Sequence, residues 1–548
     1  MNHRSVYLET FGCQMNELDS ELVKGQLESL GYRLVDRDAG ADVVLYNTCS
    51  VREQAENKAW SRIGVISNRK RAGEEIILGV LGCMAERDGH DLLRRHPEVD
   101  LMCGPGELDR LPLLLDNISK ARGSELNHRG QIDERVALGG NRSRRWSTLQ
   151  AAGDNLELLD LSRAFSPDPG ARAAGRSAYV RITRGCNKFC TYCVVPHTRG
   201  AEVHRPPGDI VEECRTLADR GVIEITLLGQ TVNHYCYTHG VAVSISGREL
   251  AQVGPGLKSF ENNDLSTKPG SRTTSFAELL ELIHERVPEI RRLRFVTSYP
   301  RDFSDEALDV IARCERICPY LHVPAQSGSD RILKLMNRGY SLGQYLDFID
   351  RAQARIPDVS IAGDVIVGFP TETEEDFEDT IRLLRRVPFK NNFIFKYSER
   401  PGTVARRRFE DDVPIAVKKQ RNNRLLAVQA EVSAEVHARW VGRTTEVLVE
   451  QVSKQERSRG KRHSRVQALP GQVTLTSGGA ALEPQPGTGG GVPLEEPGAT
   501  IQLSGRTPGD LIVFLDCPRS HQPERLIGTI QKVLIEDCSA LSLSGTLI

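Results

Sequence analysis

Over the first 120 residues, short apolar runs rich in Val, Ile and Leu alternate with longer amphipathic stretches. "VYLETFG" precedes an amphipathic stretch from Glu17, and "DVVLYNT" precedes "VREQAENKAWSRIGVISNRK". "EIILGVLG" then leads into "AERDGHDLLRRH", and "VDLMCG" into "ELDRLPLLLDNI". This rhythm predicts an α/β amino-terminal domain (1–120) built on a doubly wound parallel sheet covered on both faces. Residues 121–176 mix Gly, Ser, Arg and Pro without periodicity and are expected to be a linker.

A second alternating series fills 177–411. Its expected strands are "AYVRIT", "VIEITLLG", "RLRFVTS", "YLHVP", "SIAGDVIVG" and "NNFIFKYS", with helical segments such as "DIVEECRTLADR", "FAELLELIHERV" and "EEDFEDTIRLLRRV" between them. Six such units predict a TIM-like barrel, complete or partial, with its site at the strands' carboxyl ends. The stretch 236–274 lacks periodicity and is expected to be an inserted loop. A charged helix over 412–440 leads to 441–548, whose short apolar runs predict a small β-barrel. An insert at 454–500 begins with the basic run "KQERSRGKRHSR" and continues as a Gly/Pro-rich linker. Its glycines follow no strand, so they do not form a phosphate loop.

Charge changes this picture little. The 548 residues carry 72 Lys+Arg against 73 Asp+Glu, a net charge of -1, so any RNA surface must come from local patches. Such patches are "HTRGAEVHR", "KKQRNNR" and the run 454–465. No apolar run reaches the roughly 18 residues that a bilayer requires, and the start lacks a signal-peptide core. A cytoplasmic protein without membrane attachment is expected. In a reducing compartment, 13 cysteines argue for metal or redox chemistry over disulfides.

"RGCNKFCTYCVVPHTRG" sets Cys186, Cys190 and Cys193 in a C-x3-C-x2-C loop after the first expected barrel strand. Thiolates favour zinc or iron–sulfur clusters. Structural zinc takes four ligands, and no fourth Cys or His stands at pair spacing, although His197 and His204 are nearby. Three ligands on a cubane leave one iron open. Spacing alone favours the cluster and leaves zinc or an unmetallated loop as alternatives. Cys13, Cys49 and Cys83 follow the first three expected strands, at the edge where open α/β sheets bind ligands. The alternative is that they are buried small hydrophobes.

The C-x3-C-x2-C loop after the first barrel strand resembles that of radical S-adenosylmethionine enzymes. The likeness extends across nearly the whole chain to the tRNA methylthiotransferases. "FGCQMNELDSE", "YNTCSVREQAENK" and "LGCMAER" resemble that family's amino-terminal motifs. "LHVPAQSGSDRILKLMNRGY", "DVIVGFPTETEEDF" and "KYSERPGT" resemble its radical domain, and the carboxyl-terminal strands its RNA-binding TRAM barrel. The wording around the cysteines is most similar to the branch acting on N6-isopentenyladenosine next to the anticodon. The resemblance implies S-adenosylmethionine as cofactor and two 4Fe–4S clusters. One is on the catalytic Cys186, Cys190 and Cys193, with an open iron for the cofactor; the auxiliary one, on Cys13, Cys49 and Cys83, handles sulfur. It points to Gln230, Asn233, Ser298, Gln326 and Asp364 as cofactor contacts, and to Tyr192 as an aromatic beside the cluster.

Three residues depart from that family's usual pattern: Thr231 stands for Asn, Tyr299 for His and Thr371 for Gly. Cys103, Cys214, Cys314, Cys318, Cys517 and Cys538 are expected to pack, Cys103 being a weaker ligand candidate. The implied partners are a tRNA anticodon stem-loop, a flavodoxin- or ferredoxin-like electron donor, and sulfur-delivery and cluster-assembly proteins. Two rival functions remain: methylthiolation of threonylcarbamoyladenosine, and a non-catalytic RNA-binding protein with structural metal.

Overall fold

The structure is a computed structural model that describes residues 4–123, 135–139, 176–244, 246–254, 272–453 and 500–548. The basic run 454–465 and most of the 121–176 segment lie outside the described residues. The chain divides into two compact units, Met1–Ser433 and Ala434–Ile548.

In the first unit, β1 (Ser5–Thr10), β2 (Arg33–Leu34), β3 (Val43–Thr48), β4 (Ile77–Gly82), β5 (Leu101–Cys103) and β6 (Val136–Ala137) form one parallel sheet. The order is β2-β1-β3-β4-β5-β6. Every residue of β3 and β4 is buried, as strands with helices on both faces must be. One face packs Val6, Val43 and Leu45 under Val23 and Leu27 of α1 (Gln14–Ser29). The other packs Val44, Leu78 and Val80 under Ile63 and Ile66 of α2 (Glu53–Arg71) and Met84 of α3 (Cys83–Asp88). The doubly wound sheet expected from the apolar runs is therefore present. β6 lies inside the expected linker; two residues are too few to show a period.

The second series supplies β7 (Ser177–Arg181), β8 (Thr183–Arg184), β9 (Val203–His204), β10 (Glu224–Leu228), β11 (Cys236–Thr238), β12 (Gln252–Val253) and β13 (Thr273–Ser275). It continues with β14 (Arg292–Phe295), β15 (Tyr320–His322), β16 (Ser360–Val367) and β17 (Phe389–Lys396). β7-β10-β14 and β15-β16-β17 are parallel sheets joined by a Leu293–Ile317 bridge. They make the six-stranded partial barrel that the pattern predicts. Ala178, Val180, Ile225, Leu227, Leu293 and Phe295 face the helical layer of Ile210, Cys214, Leu280, Ile283, Phe348 and Ile349. On the alternate positions, Tyr179, Leu228 and Val296 meet Met15, Leu18 and Leu22, so α1 lies against the barrel's other face.

The described part of 236–274 differs from the expected loop. β11 pairs with β13, and β12 pairs with β9. Strands of two or three residues carry no alternation that a sequence can display.

In the second unit, β18 (Thr444–Val452), β19 (Thr500–Arg506), β20 (Ile512–Pro518), β21 (Ile530–Cys538) and β22 (Leu543–Leu547) close into a barrel ordered β18-β19-β20-β22-β21. Val447, Val449, Leu503, Val513, Leu515, Val533 and Ile535 fill it. Cys517 is buried among them, as expected for a packing cysteine. Among the described residues no helix is long and apolar enough to cross a membrane.

Candidate functional site

Parallel sheets present their chemistry beyond the strands' carboxyl ends. Cys13 caps α1 just past β1, Cys49 follows β3 directly, and Cys83 opens α3 directly after β4. Two buried asparagines hold these strand ends together. The Asn16 amide donates to Asn47 Oδ1 (3.1 Å) and to the Thr48 carbonyl (2.9 Å), and Asn47 donates to the Asn16 carbonyl (2.8 Å). Cys13 Sγ donates to Asn16 Oδ1 (3.2 Å), and the Val51 N–H points at Cys49 Sγ (3.3 Å).

The second triad sits on one loop. Gly185, at φ +74°, opens it. A Cβ there would lie 1.9 Å from the Ala201 carbonyl oxygen, so only glycine lets the two arms of the loop close. Cys186 N–H donates to the Gly200 carbonyl (3.2 Å). Backbone N–H groups of Lys188 and Val195 point at Cys186 Sγ (3.5 Å) and Cys193 Sγ (3.4 Å). N–H···S donors of this kind stabilise thiolate negative charge and tune a bound cluster.

Each triad also has an arginine beside it. Arg338 brings Nη1 to 3.4 Å from Cys190 Sγ and donates through Nε to the Tyr340 hydroxyl (3.0 Å). Its guanidinium stacks 4.5 Å from the Tyr299 ring centroid, with Lys188 Nζ at 4.9 Å from the same ring. Arg199 pairs with Asp19 at 2.7 Å, the two side chains 6% and 1% exposed. Burial pushes the Cys83 thiol up and the Arg199 charge opposes that rise. At Cys13 the same charge adds to the hydrogen bond from Cys49 in favouring the thiolate. α3, which Cys83 opens, packs on the turn Val195–Thr198. Thr198 and Arg199 stand five and six residues beyond Cys193. The helical turn Val195–Thr198 therefore leads from one triad to the other, over at most about 22 Å of chain.

The thiols differ in character. A hydrogen bond from Cys49 holds the Cys13 thiol below its ordinary value of 9.0, with help from Arg199, and pushes Cys49 up. Burial pushes Cys186 up to about 11 and raises Cys193 further. In neither triad do all three sulfurs lie within 4.8 Å of one another.

The expected cofactor contacts ring the barrel's carboxyl edge. Gln230 Oε1 and Ser298 Oγ, beyond β10 and β14, are buried polar atoms without a protein partner. Such atoms require a polar occupant, and a nucleoside-bearing cofactor suits them. Asp364 Oδ1 lies 3.5 Å from His322 Nε2. Gln326, buried at φ 72°, is fixed by backbone bonds to Asp364 and Ile366. Asn233 behaves differently. Its amide donates to the Tyr299 carbonyl (2.8 Å) and accepts the Tyr299 N–H (2.8 Å), so it positions the Ser298–Tyr299 turn from within the wall.

The departures from the family pattern have structural counterparts. Thr231 Oγ1 lies 3.7 Å from Cys186 Sγ, and Tyr299 is the ring between Arg338 and Lys188. Thr371 adopts φ 68°, a conformation that suits glycine, and is braced by Arg331 bonds to its hydroxyl and carbonyl. Tyr192 is half-buried against Met336 and Tyr397. Cys103 is fully buried with its thiol on the Glu107 carbonyl (3.0 Å), a packing role.

One expected phosphate patch is corrected and the other is only partly neutralised. In "HTRGAEVHR", Arg199 pairs with Asp19, Arg205 pairs with Glu213 at 2.7 Å, and His204 is fully buried. In "KKQRNNR", Lys418 pairs with Asp411, Arg421 with Glu372, and Arg424 with Glu374 and Glu378. The cations of the first patch answer internal carboxylates, whereas in the second Lys419 is exposed and Arg424, 42% exposed, keeps a face to solvent.

A model of the radical SAM superfamily matches residues 180–384, and one of uncharacterized protein family UPF0004 matches 5–104. The tRNA-2-methylthio-N(6)-dimethylallyladenosine synthase of Rhodopirellula baltica is 39% identical over 544 residues, spanning 99% of this chain and 95% of its own. That of Moorella thermoacetica is 39% identical over 472 residues, spanning 85% and 92%. Among solved structures, a radical S-adenosylmethionine methyltransferase from Kitasatospora setae aligns at 14% identity over 74% of this chain and 77% of its own, with a TM-score of 0.47. On identity over nearly its full length, the chain belongs to the family of tRNA-2-methylthio-N(6)-dimethylallyladenosine synthases, which are radical SAM enzymes.

Proposed function

We propose that this enzyme transfers a methylthio group to C2 of N6-isopentenyladenosine next to the anticodon of tRNA, using two 4Fe–4S clusters. The observation that carries the two-cluster reading is the turn Val195–Thr198: it continues from Cys193, packs on α3, which Cys83 opens, and leads to Arg199, which pairs with Asp19 of the helix that Cys13 caps. S-adenosylmethionine and the clusters supply one-electron chemistry, sulfur and methyl.

The chain's residues bind and orient. Cys186, Cys190 and Cys193 hold the radical cluster, and Cys13, Cys49 and Cys83 the auxiliary one. Gln230, Ser298, Gln326 and Asp364 offer polar groups to the cofactor, while Asn233 fixes the turn that carries Ser298. Arg338 and Arg199 offset the charge that thiolate ligation brings into a buried site. The carboxyl-terminal barrel holds tRNA through its anticodon stem-loop. A flavodoxin- or ferredoxin-like protein supplies electrons, and sulfur-delivery and cluster-assembly proteins restore the auxiliary site. An adenosine must leave its stack to reach a barrel mouth, and an anticodon loop gives it that freedom.

Substrate choice is the test. At about 0.8 kcal/mol per buried CH₂-sized group, burying most of a five-carbon prenyl chain contributes roughly 3 kcal/mol, over a hundredfold in discrimination. One anticodon stem-loop, offered unmodified, isopentenylated or threonylcarbamoylated, should gain the methylthio group only when isopentenylated. Preferential reaction of the threonylcarbamoylated RNA would overturn the substrate assignment.

A further inference from the structure

Among the described residues, one set of three His, Cys, Asp or Glu side chains brings its ligand atoms within 4.8 Å of one another: Glu202, His204 and His234. Neither cysteine triad contributes to it. Glu202 precedes β9, His204 ends β9, and His234 ends the short turn Val232–His234 beyond β10. The Glu202 and His204 side chains are fully buried and that of His234 is 20% exposed.

The carboxylate is unevenly satisfied. Glu202 Oε1 lies 2.8 Å from His204 Nε2 and 2.7 Å from His234 Nδ1. Glu202 Oε2 is buried with no partner. A buried carboxylate with one oxygen doubly engaged and the other orphaned is costly, and a cation satisfies both. The surroundings suit one. Gly254 backs the pair: a Cβ there would lie 2.6 Å from His204 Nε2 and 3.2 Å from Glu202 Cγ. His204 Nδ1 lies between the Cys236 carbonyl (2.9 Å) and the Cys236 N–H (3.1 Å), two contacts that fix the ring's orientation as back-bonds fix metal-ligating histidines.

We propose that Glu202, His204 and His234 form a mononuclear site for a divalent transition cation of the zinc class, separate from both clusters. Two imidazoles and a carboxylate select zinc-like ions over calcium or magnesium, whereas the thiolate triads select clusters. On loading, His204 takes the tautomer that donates from Nδ1 to the Cys236 carbonyl, gives up the bond it accepts from the Cys236 N–H, and turns its Nε2 lone pair to the ion. The ion ties the segment leaving the radical-cluster loop, where the Glu202 N–H donates to Asn187 Oδ1 (3.0 Å), to the turn following Gln230. It therefore braces one wall of the barrel mouth. The proposal does not depend on the substrate assignment above.

The test uses untagged holoenzyme with both clusters in place, stripped of loose metal and titrated with zinc chloride. One equivalent should bind, and zinc K-edge absorption should show a nitrogen and oxygen shell at about 2.0–2.1 Å. Glu202→Gln and His234→Asn should each weaken zinc binding at least tenfold while iron and sulfide contents hold. A zinc–sulfur shell near 2.3 Å, no bound zinc, or equal binding by soluble variants would each overturn the proposal. The absorption measurement on wild-type protein decides the question even if a variant fails to fold.

Discussion

The two cysteine triads reach a similar composition by opposite routes. Cys186, Cys190 and Cys193 share one short loop, and a distant arginine, Arg338, comes to them. Cys13, Cys49 and Cys83 come from three strand ends of one sheet, and their arginine, Arg199, arrives from the other triad's own loop. The first site is local and needs the chain mainly for its walls. The second exists only once the sheet has formed and the barrel loop has docked on it.

The comparison is broken most severely by removing one triad at a time. Replacing Cys186, Cys190 and Cys193 with Ala should lower iron from about eight to about four per chain and abolish S-adenosylmethionine cleavage. Replacing Cys13, Cys49 and Cys83 should remove the same iron yet leave cleavage measurable, with no methylthiolated product. Iron and sulfide assays with 5′-deoxyadenosine detection separate the two outcomes.

The arginines give a smaller and unequal effect. Arg199→Gln leaves Asp19 as a buried, uncompensated carboxylate and should cost about 3–5 kcal/mol in urea unfolding. The double variant with Asp19→Asn should recover most of it. Arg338 is held by a phenol, a carbonyl and the Cys190 thiol. Arg338→Gln should therefore affect stability less and instead move the radical cluster's midpoint potential to more negative values, because a nearby positive charge favours the reduced form. Equal stability losses, with no change in potential, would erase the contrast.

The smallest effect lies in cluster-free protein. Cys13 ionises below the ordinary thiol value of 9.0, through its hydrogen bond from Cys49, whereas burial holds Cys186 protonated up to about 11. Raising pH toward 9 thus creates a thiolate in the auxiliary triad while Cys186 stays a thiol. Iodoacetamide mass mapping at pH 8 should label Cys13 ahead of Cys186, and Cys49→Ala should slow that labelling.

Legibility follows the same division. The six barrel strands and the four principal strands of the first sheet stand out because each lies in an apolar run set between amphipathic helical stretches, even where, as in β5 and β15, the strand itself is three residues. β2, β6, β11, β12 and β13, at two or three residues each, carry no such pattern. C-x3-C-x2-C is readable because its chemistry is set by spacing along eight residues. Arg338 sits 148 residues from Cys190, and Arg199 sits 180 from Asp19, so no local pattern marks either. A linear basic run such as "HTRGAEVHR" therefore looks like a phosphate surface, because the acids that neutralise it are elsewhere in the chain. The Glu202–His204–His234 set is hidden likewise, since His234 belongs to a different strand end.

The docking of Arg199 on Asp19 also bears on how this protein can be taken apart. Cutting the chain into its amino-terminal sheet and its barrel leaves a naked carboxylate on α1 and a naked guanidinium beside the radical loop. A second severed pair lies at Arg400 and Glu56, 2.7 Å apart. The freed face also exposes Met15, Leu18 and Leu22 to water. Neither fragment inherits a finished surface, so recombining this sheet with a foreign barrel requires transplanting both halves of each pair. Within the first unit, sheet and barrel are a single heritable module.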